Sequence, residues 1–186
     1  MADKADPADT FTAPSFPLSN RLKRLVWNVV YLFVFRLIPG PFHGVRAAIL
    51  KAFGAGSGKG AHIYPGARIW APWNLEVGAE AGIANGAIIY NQGKVSIGRR
   101  AVISQGAHLC AGTHDYEQAG MPLITRPIRI EDYAWVTAEV FVHPGVTIGE
   151  GAVIGARSVV TRNIPAWTVC GGCPCKPLKN RAWRPS

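Results

Sequence analysis

One histidine stands where a regular sequence repeat is interrupted. His114 lies in the stretch GTHDY, inside a polar and flexible interruption that runs from Ala111 to Ile128. An alcohol is a poor nucleophile at neutral pH unless a base takes its proton, and imidazole is the side chain best suited to that role. His114 is therefore a candidate general base. The alternative is that it only hydrogen-bonds the interruption to the rest of the fold.

Asp115 follows the candidate base directly. Its carboxylate could orient the imidazole of His114 or bind a hydroxyl group of a substrate. Neighbouring side chains on an extended chain point to opposite sides, which argues against a direct pair with His114. Asp115 is kept as a candidate substrate-binding residue.

The elements that position these residues follow from a period of six. Large aliphatic residues recur at every sixth position, with shifts of two residues at LEVG, VSIG and IRIE. A small or β-branched residue stands four places after most of them, where we expect the chain to turn. Neither the helical period of 3.6 nor the strand period of 2 gives this spacing, whereas short strands joined by tight corners, three to a coil, do. The aliphatic positions are Ile63, Ile69, Leu75, Val77, Ile83, Ile89, Val95, Ile97, Ile103, Leu109, Ile130, Val136, Val142, Ile148, Ile154 and Val160.

This period predicts an all-β solenoid in which each coil covers the one before. Trp70, Tyr90 and Cys110 are spaced by 20 residues and should lie in one column, about 4.8 Å apart from coil to coil. The open ends of a solenoid need covers, and small residues facing outward would suit threefold packing. We expect a disordered leader over residues 1–18, a helical segment over 19–58, the solenoid over 59–168 with a loop at 112–127, and a tail over 169–186.

The helical segment has two interpretations. From Leu25 to Ile38 it is largely apolar, but Asn28 and Arg36 interrupt it and Pro39 ends it, so it is too short for a span of about 20 residues. It either caps the first coil or lies at a membrane interface, with its basic residues on anionic headgroups. A second helix is expected at about residues 42–53.

Composition and charge limit the class of protein. The chain has 186 residues, of which 48% are hydrophobic and 17% charged, and this is typical of one globular domain. Its net charge of +9 calls for an anionic partner. Nucleic acid is not expected, because no binding motif is present and the basic residues gather at the two ends. Cys170, Cys173 and Cys175 lack a fourth ligand at a zinc-like spacing, so we expect free thiols in a reducing compartment.

The hexads, the stretch GTHDY and the run PGVTIGEGAVIGARSVVTRNIPAWTVCGGCPCK resemble the hexapeptide-repeat acyltransferases over residues 60–180. The stretches HIYPGARIWAPWNLEVG and ISQGAHLCAGTHDY are most similar to the colanic-acid-type acetyltransferases of exopolysaccharide biosynthesis. The resemblance implies a left-handed parallel β-helix, a homotrimer, acetyl-CoA as cosubstrate and no metal. It also implies a cytoplasmic enzyme, either free or peripheral at the inner face of the membrane.

The resemblance further assigns roles to single residues. His114 matches the catalytic histidine of the family, and Asn85 matches the position that serves the substrate and the transition state. Asn91 falls where the family has a substrate-binding carboxylate, with one residue fewer in between. Tyr90 and Trp73 could form an aromatic wall against a sugar. The residues that match the coenzyme A site are Trp135, Ala138, Ala156, Thr161, Arg162, Lys176 and Lys179.

These observations predict an O-acetyltransferase that moves the acetyl group of acetyl-CoA directly to a sugar hydroxyl of a cell-surface polysaccharide precursor. The acceptor would be a sugar or a lipid-linked saccharide. Two alternatives stay open: a solenoid that has lost catalysis, and a zinc hydratase of the carbonic anhydrase type. The hydratase needs three converging imidazoles, and coil spacing brings together no three of His43, His62, His108 and His143.

Overall fold

The aliphatic residues of the repeat form the interior of a three-sided solenoid in the computed structural model, which describes residues 9–183. Every aliphatic position of the predicted period is buried. Equivalent residues stack in register, so that Ile83 pairs with Ile63 on one side and with Ile103 on the other. Each coil therefore buries the apolar surface of the next. This burial stabilises the fold by about 25 cal/mol for each Å² of apolar surface that is removed from water.

Each face of the solenoid is one sheet, and its strands are numbered in chain order. Sheet A contains β1 (Gly56–Ser57), β4 (Leu75–Val77), β7 (Val95–Ile97), β12 (Ile128–Ile130) and β15 (Thr147–Ile148). Sheet B contains β2 (His62–Ile63), β5 (Gly82–Ile83), β8 (Val102–Ile103), β13 (Trp135–Val136), β16 (Val153–Ile154), β18 (Thr168–Gly171) and β19 (Lys176–Asn180). Sheet C contains β3 (Arg68–Ile69), β6 (Ile88–Tyr90), β9 (His108–Cys110), β14 (Phe141–Val142) and β17 (Val159–Val160). The strands of each sheet are parallel, except that β19 returns antiparallel to β18.

The small residues of the repeat lie inside the coil, next to its corners. Ala87 and Ala107 are fully buried, so the expectation that such residues face outward for subunit packing is wrong. They are small because the chain bends sharply over them and leaves no room for a longer side chain. The corners themselves are tight as well: a Cβ on Gly98 would lie 2.5 Å from the backbone nitrogen of Asp132 in the next coil.

The interruption of the repeat is an antiparallel hairpin that leaves the solenoid at one corner. Its strands are β10 (Gly112–His114) and β11 (Leu123–Thr125), and His114 pairs with Leu123. At its base, the backbone N–H of Arg126 donates to the carbonyl of Ala111 at 3.1 Å. This bond closes the hairpin, and the chain rejoins the solenoid at Ile128 in register with Val95.

Two helices cover the first coil. They are α1 (Leu18–Phe33) and α2 (His43–Ala52), joined by a 3₁₀ turn at Phe35–Leu37. Trp27 is buried beneath α1 and donates its indole N–H to the carbonyl of Ile69 at 2.7 Å. Arg46 is buried beneath α2, where its guanidinium donates to the carbonyls of Ile38, Pro39, Gly40 and Ile63. This packing is the cap that one interpretation of the segment expects. Among the described residues, no helix has both the length and the apolar character needed to cross a bilayer.

The segment before α1 contacts the hairpin. The predicted leader covers residues 1–18, of which residues 1–8 lie outside the described part of the chain. From residue 9 onward it contacts the rest of the fold: Thr10 hydrogen-bonds Gly120, and the ring of Phe16 lies 4.9 Å from that of Trp70. These contacts join residues more than 50 positions apart, so no local pattern signals them.

The C-terminal segment prolongs sheet B. β18 pairs with β16, and so the solenoid continues to Gly171, beyond the predicted boundary at residue 168. β19 then returns along β18, with Lys176 opposite Gly171 and Lys179 opposite Val169. The tail thus places Lys176 and Lys179 on the last strand of this face.

Candidate active site

A groove of about 500 Å³ opens beside the hairpin, at the corner where the chain passes from sheet C to sheet A. It unites three residues that the sequence singled out, His114, Asp115 and Thr161. The other residues that line it are Thr113, Tyr116, Glu117, Ile124, Arg126, His143 and Pro144.

The register of sheet C explains this grouping. Val142 pairs with Leu109 in one coil and with Val160 in the next. The residues that follow these three, Cys110, His143 and Thr161, therefore stack at the end of sheet C, about one strand spacing apart. The hairpin leaves the coil just after Cys110, which brings His114 beside His143 and Thr161.

The imidazole of His114 is held by a main-chain carbonyl. Its Nδ1 lies 2.6 Å from the carbonyl oxygen of Met121, across the hairpin. A carbonyl oxygen can only accept, so Nδ1 carries the proton and Nε2 of the neutral ring has a free lone pair. His114 is exposed. The hairpin thus orients the ring so that Nε2 is the acceptor nitrogen whenever the ring is neutral.

The same carbonyl accepts a second hydrogen bond. The hydroxyl of Thr10 donates to it at 2.9 Å, and the backbone N–H of Met121 donates to Gln118 at 2.9 Å. Met121 has a φ of 42°, in the left-handed region that a side chain disfavours. Three hydrogen bonds therefore hold this residue in an unfavourable conformation that aims its carbonyl at His114.

Asp115 does not orient the imidazole. Its carboxylate accepts from the side chain of Gln118 at 2.6 Å and from the backbone N–H of Glu117 at 3.2 Å. These bonds stabilise the hairpin turn. The expectation that Asp115 could orient His114 is thus wrong in this structure, because the partner of the imidazole is the carbonyl of Met121.

Asn91 is a structural residue. It is fully buried, and its amide bonds the backbone of Ala71 in the preceding coil: Nδ2 donates to the carbonyl at 2.5 Å and Oδ1 accepts from the N–H at 3.0 Å. A side chain with no exposed surface cannot touch a sugar. The burial of Asn91 inside the corner therefore contradicts the prediction that it binds the substrate.

Tyr90 and Trp73 lie outside the groove. Tyr90 is on the outer face of sheet C, with its ring centroid 6.0 Å from Trp70, and its hydroxyl accepts from Gln92 at 2.9 Å. Trp73 lines a different groove of about 520 Å³ between the solenoid and α1, where the ammonium of Lys23 lies 6.0 Å from its ring. Within one chain neither aromatic ring joins His114.

A second set of predicted residues lies on the other side of sheet C. Asn85, Ala138 and Ala156 belong to the corner between sheets B and C, where the backbone N–H of Arg157 donates to the carbonyl of Ala138 at 2.9 Å. The side chain of Asn85 is exposed and accepts from the N–H of Gly66 at 2.8 Å.

The neighbouring face of sheet B carries the rest of that set. Trp135 is 45% exposed and donates its indole N–H to the hydroxyl of Ser104 at 2.9 Å. Lys176 and Lys179 are exposed on β19 at the end of the same sheet. We call this surface the sheet B strip; it consists of Asn85, Trp135, Ala138, Ala156, Lys176 and Lys179. Arg162, by contrast, is exposed next to Thr161 at the groove.

Apart from Asn91, Tyr90 and Trp73, the predicted site residues therefore occupy two surfaces of one chain. The groove holds His114, and the sheet B strip holds most of the residues that match the coenzyme A site. Sheet C separates them, because each of its strands begins at the corner of the strip and ends at the corner of the groove. One chain alone does not assemble the predicted site.

The groove also contains residues that were not predicted for the site. Arg126 is exposed where the chain rejoins the repeat, and its side chain packs over Gly145. His143 and Tyr116 also line the groove. The sequence position of Arg126 could have indicated that it belongs to the site. Arg126 lies near the end of the interruption, as His114 lies near its start.

Burial changes the ionisation of groups near these surfaces. It lowers the pKa of His108, whose Nε2 is buried without a hydrogen-bond partner in the described structure. It raises the pKa of the Cys170 thiol to about 11, so this cysteine stays protonated at neutral pH. All four cysteines are unpaired thiols. Residues 9–183 contain no group of three or more His, Cys, Asp or Glu side chains placed to hold a metal ion.

The chain belongs to the hexapeptide-repeat acetyltransferases. The sequence family described as "Bacterial transferase hexapeptide (six repeats)" matches residues 127–162. Across the chain, 172 residues are 38% identical to the Escherichia coli protein named "Putative colanic acid biosynthesis acetyltransferase WcaF", covering 92% of this chain and 94% of that one. This membership confirms the predicted family, the left-handed parallel β-helix and the acetyltransferase class.

Solved structures agree with this assignment. A maltose O-acetyltransferase from Clostridium difficile 630 superposes with a TM-score of 0.80 at 27% identity, covering 88% of this chain and 89% of that one. A galactoside acetyltransferase in complex with coenzyme A gives a TM-score of 0.81 at 25% identity, covering 89% of this chain and 84% of that one.

Proposed function

We propose that the protein transfers the acetyl group of acetyl-CoA to a hydroxyl group of a sugar, in a precursor of a cell-surface polysaccharide, with His114 as general base. The observation that carries the proposal is the bond from His114 Nδ1 to the carbonyl of Met121, which leaves Nε2 free at the groove. The names of three similar proteins support a saccharide acceptor, since they refer to colanic acid, maltose and galactoside.

The chemistry that His114 would perform has two proton transfers. Nε2 takes the proton of the acceptor hydroxyl as its oxygen forms a bond to the thioester carbonyl carbon. The imidazolium is stabilised meanwhile by its Nδ1–H bond to Met121. When the carbon–sulfur bond breaks, Nε2 returns the proton to the leaving sulfur, and the ester and coenzyme A are released. No acyl-enzyme is needed, because one base serves both halves of the reaction.

Oxyanion stabilisation would come from another surface. The tetrahedral oxyanion requires preorganised donors, and the exposed amide of Asn85 is the candidate for that role. Asn85 lies on the sheet B strip, away from His114 in the same chain. We propose that a homotrimer unites the groove of one subunit with the sheet B strip of the next, as the family resemblance implies.

The same arrangement accounts for the coenzyme A residues. Trp135, Ala138 and Ala156 would take the pantetheine arm, and Lys176 and Lys179 would meet the phosphates of coenzyme A, which favour paired cations. Arg162 is a candidate contact of the coenzyme at the groove, next to Thr161. Thr161 lies with His114 in the groove, at the end where the thioester must arrive. The two small side chains leave the backbone of their corner accessible to the amides of the arm.

Acetyl transfer to a panel of nucleotide sugars and lipid-linked oligosaccharides tests the proposal, with coenzyme A release as the readout. His114→Ala should lower turnover by about 10² to 10⁴, the usual contribution of a general base, while calorimetry shows unchanged coenzyme A binding. The matched control is His62→Ala, which removes an exposed imidazole from the first coil.

Two results would oppose the proposal. If His114→Ala kept near-normal turnover, the base would lie elsewhere, and His143→Ala would be the next variant to measure. If wild-type protein bound coenzyme A but acetylated no acceptor, the alternative of a solenoid without catalysis would stand.

A further inference from the structure

Helix α1 has an apolar face that points away from the solenoid. At 100° per residue, seven apolar residues fall within an arc of about 120° on one side of the helix. Each of them is between 48% and 70% exposed. Trp27, on the opposite side, is buried against the first coil. We call this face the α1 stripe; it consists of Leu18, Leu22, Leu25, Val26, Val29, Leu32 and Phe33.

The stripe is not needed for the cap that α1 forms. Trp27 makes ring contacts with Tyr31, Phe35 and Phe53 on the inward side, and its indole bonds the first coil. A helix that only covers the solenoid would carry polar residues outward. A contiguous exposed apolar face of this kind marks an interaction site.

The stripe also continues into an apolar groove. Leu22 and Val26 form one wall of the groove of about 520 Å³ that contains Trp73, and Phe53 from the end of α2 lines it as well. The apolar surface is therefore larger than the helix face alone. Trp73 and Lys23 lie at its edge.

The charges around the stripe identify its partner. No Asp or Glu occurs between Thr10 and Leu75, whereas the same stretch has eight basic residues. The four ion pairs found among residues 9–183 use cations from Lys94 onward, so none of these eight is neutralised by a carboxylate there. Arg46 is buried on backbone carbonyls, so seven of them remain to pair with a partner: Arg21, Lys23, Arg24, Arg36, Lys51, Lys59 and Arg68.

We infer that the α1 stripe docks on the surface of an anionic lipid bilayer. Acyl chains would receive the apolar residues, and acidic headgroups would pair with the surrounding cations. A second copy of the chain fits less well, because it would bring the same uncompensated cations together. The helix would lie in the plane of the interface. The inference is independent of the proposed acetyl transfer, since it uses none of the residues of the groove that contains His114.

Vesicle sedimentation of the full chain tests this inference. The probes are vesicles of phosphatidylcholine alone and vesicles with about one third phosphatidylglycerol, at low and high salt. We expect binding only to the anionic vesicles, and loss of that binding as salt screens the charges. Point variants are preferable to truncation, because removing the N-terminus would also remove Thr10 from the hairpin.

Two variants and two matched controls separate the contributions. Leu25→Ser with Val29→Ser should weaken binding by about tenfold or more through lost apolar insertion. Arg21→Ala should weaken it by about fivefold, the equivalent of roughly 1 kcal/mol for one cation near the surface. Val102→Ser and Arg129→Ala make the same kinds of change on exposed residues of the solenoid, and should bind as the wild type does.

Three results would overturn the inference. The first is equal affinity for neutral and anionic vesicles, or for neither. The second is unchanged vesicle binding by the Leu25→Ser and Val29→Ser double variant, because insertion of the stripe would then contribute nothing. The third is a change of oligomeric state in that double variant, measured by sedimentation, since the stripe would then be a contact between subunits.

Discussion

Two asparagines that look alike in the sequence have different environments in the fold. Asn85 is exposed at a corner, whereas Asn91 is buried and bonds both polar groups of the Ala71 backbone. A buried amide that pairs with backbone stabilises the fold, because its loss leaves the buried N–H that it paired with unsatisfied. The two residues should therefore respond differently to the same substitution.

Asn91→Ala should lower the free energy of unfolding by about 1–3 kcal/mol, since the N–H of Ala71 loses its partner, whereas the carbonyl of Ala71 keeps the N–H of Asn74. The KM for the acceptor should not change. Thermal unfolding and steady-state kinetics measure the two effects, with Asn85→Ala as the control that should lose turnover and keep stability. Asn91→Ala with normal stability and a raised KM would return this residue to the substrate site.

His108 should make stability depend on pH. Burial lowers its pKa in the folded state, so the folded protein binds fewer protons than the unfolded chain. Stability is then full above the unfolded pKa of about 6.5 and is lost as pH falls below it. His108→Phe keeps the ring beside Phe141, at 5.0 Å in the wild type, and removes the proton site.

Melting temperatures from pH 5 to pH 8 give the readout for this prediction. The wild type should fall relative to His108→Phe by roughly a few degrees at pH 5, and the two should run parallel above pH 7. His62→Phe, which replaces an exposed ring, serves as the control. Parallel curves for wild type and His108→Phe at all pH values would contradict the assignment.

At the scale of elements, the six-residue period of the sequence predicts the strands, their burial and their register. Side chains such as Ile83 and Val136 are placed by local spacing, and so their burial and register follow from the repeat. The contacts of the interruption are different, because the hydroxyl of Thr10 reaches Met121 over 111 positions. The role predicted for Asn91 was wrong for a related reason. Its burial depends on its distance from the corner of the preceding coil, at Ala71, and the residue type alone does not show that distance.

The N-terminal segment and the hairpin act on the same atom. Thr10 and His114 both donate to the carbonyl of Met121, so Thr10 is a positioning residue for the proposed base. Thr10→Val keeps the shape of the side chain and removes the hydroxyl. We expect kcat to fall several-fold, because the carbonyl is less firmly held, while the KM for acetyl-CoA stays unchanged.

Thr12→Val is the control for this effect, since Thr12 belongs to the same segment and, among residues 9–183, its hydroxyl bonds only Asp9. Amide hydrogen exchange should become faster at residues 118–123 in Thr10→Val and not in Thr12→Val. Equal kcat values for the two variants would show that the segment does not support His114.

At the scale of the whole molecule, the separation of the groove from the sheet B strip has a consequence for mixed oligomers. Each strand of sheet C begins at one surface and ends at the other, so in the proposed trimer His114 and Ala138 of one chain would face different neighbours. If a site needs both surfaces, every site of a symmetric ring is built from two chains. A variant defective in one surface can then be complemented by a variant defective in the other.

Co-expression of His114→Ala with Ala138→Trp gives a quantitative form of this argument. The first variant lacks the base, and the second blocks the small-residue corner where we place the pantetheine arm, so each should be inactive alone. In randomly mixed trimers, a site is intact when its groove comes from the Ala138→Trp chain and its strip from the His114→Ala chain. That combination occurs in about one quarter of the sites, so the mixture should regain about a quarter of wild-type turnover. Sedimentation must first show that both variants assemble as the wild type does. A mixture as inactive as its components would mean that each chain carries a whole site, and the shared arrangement would be wrong.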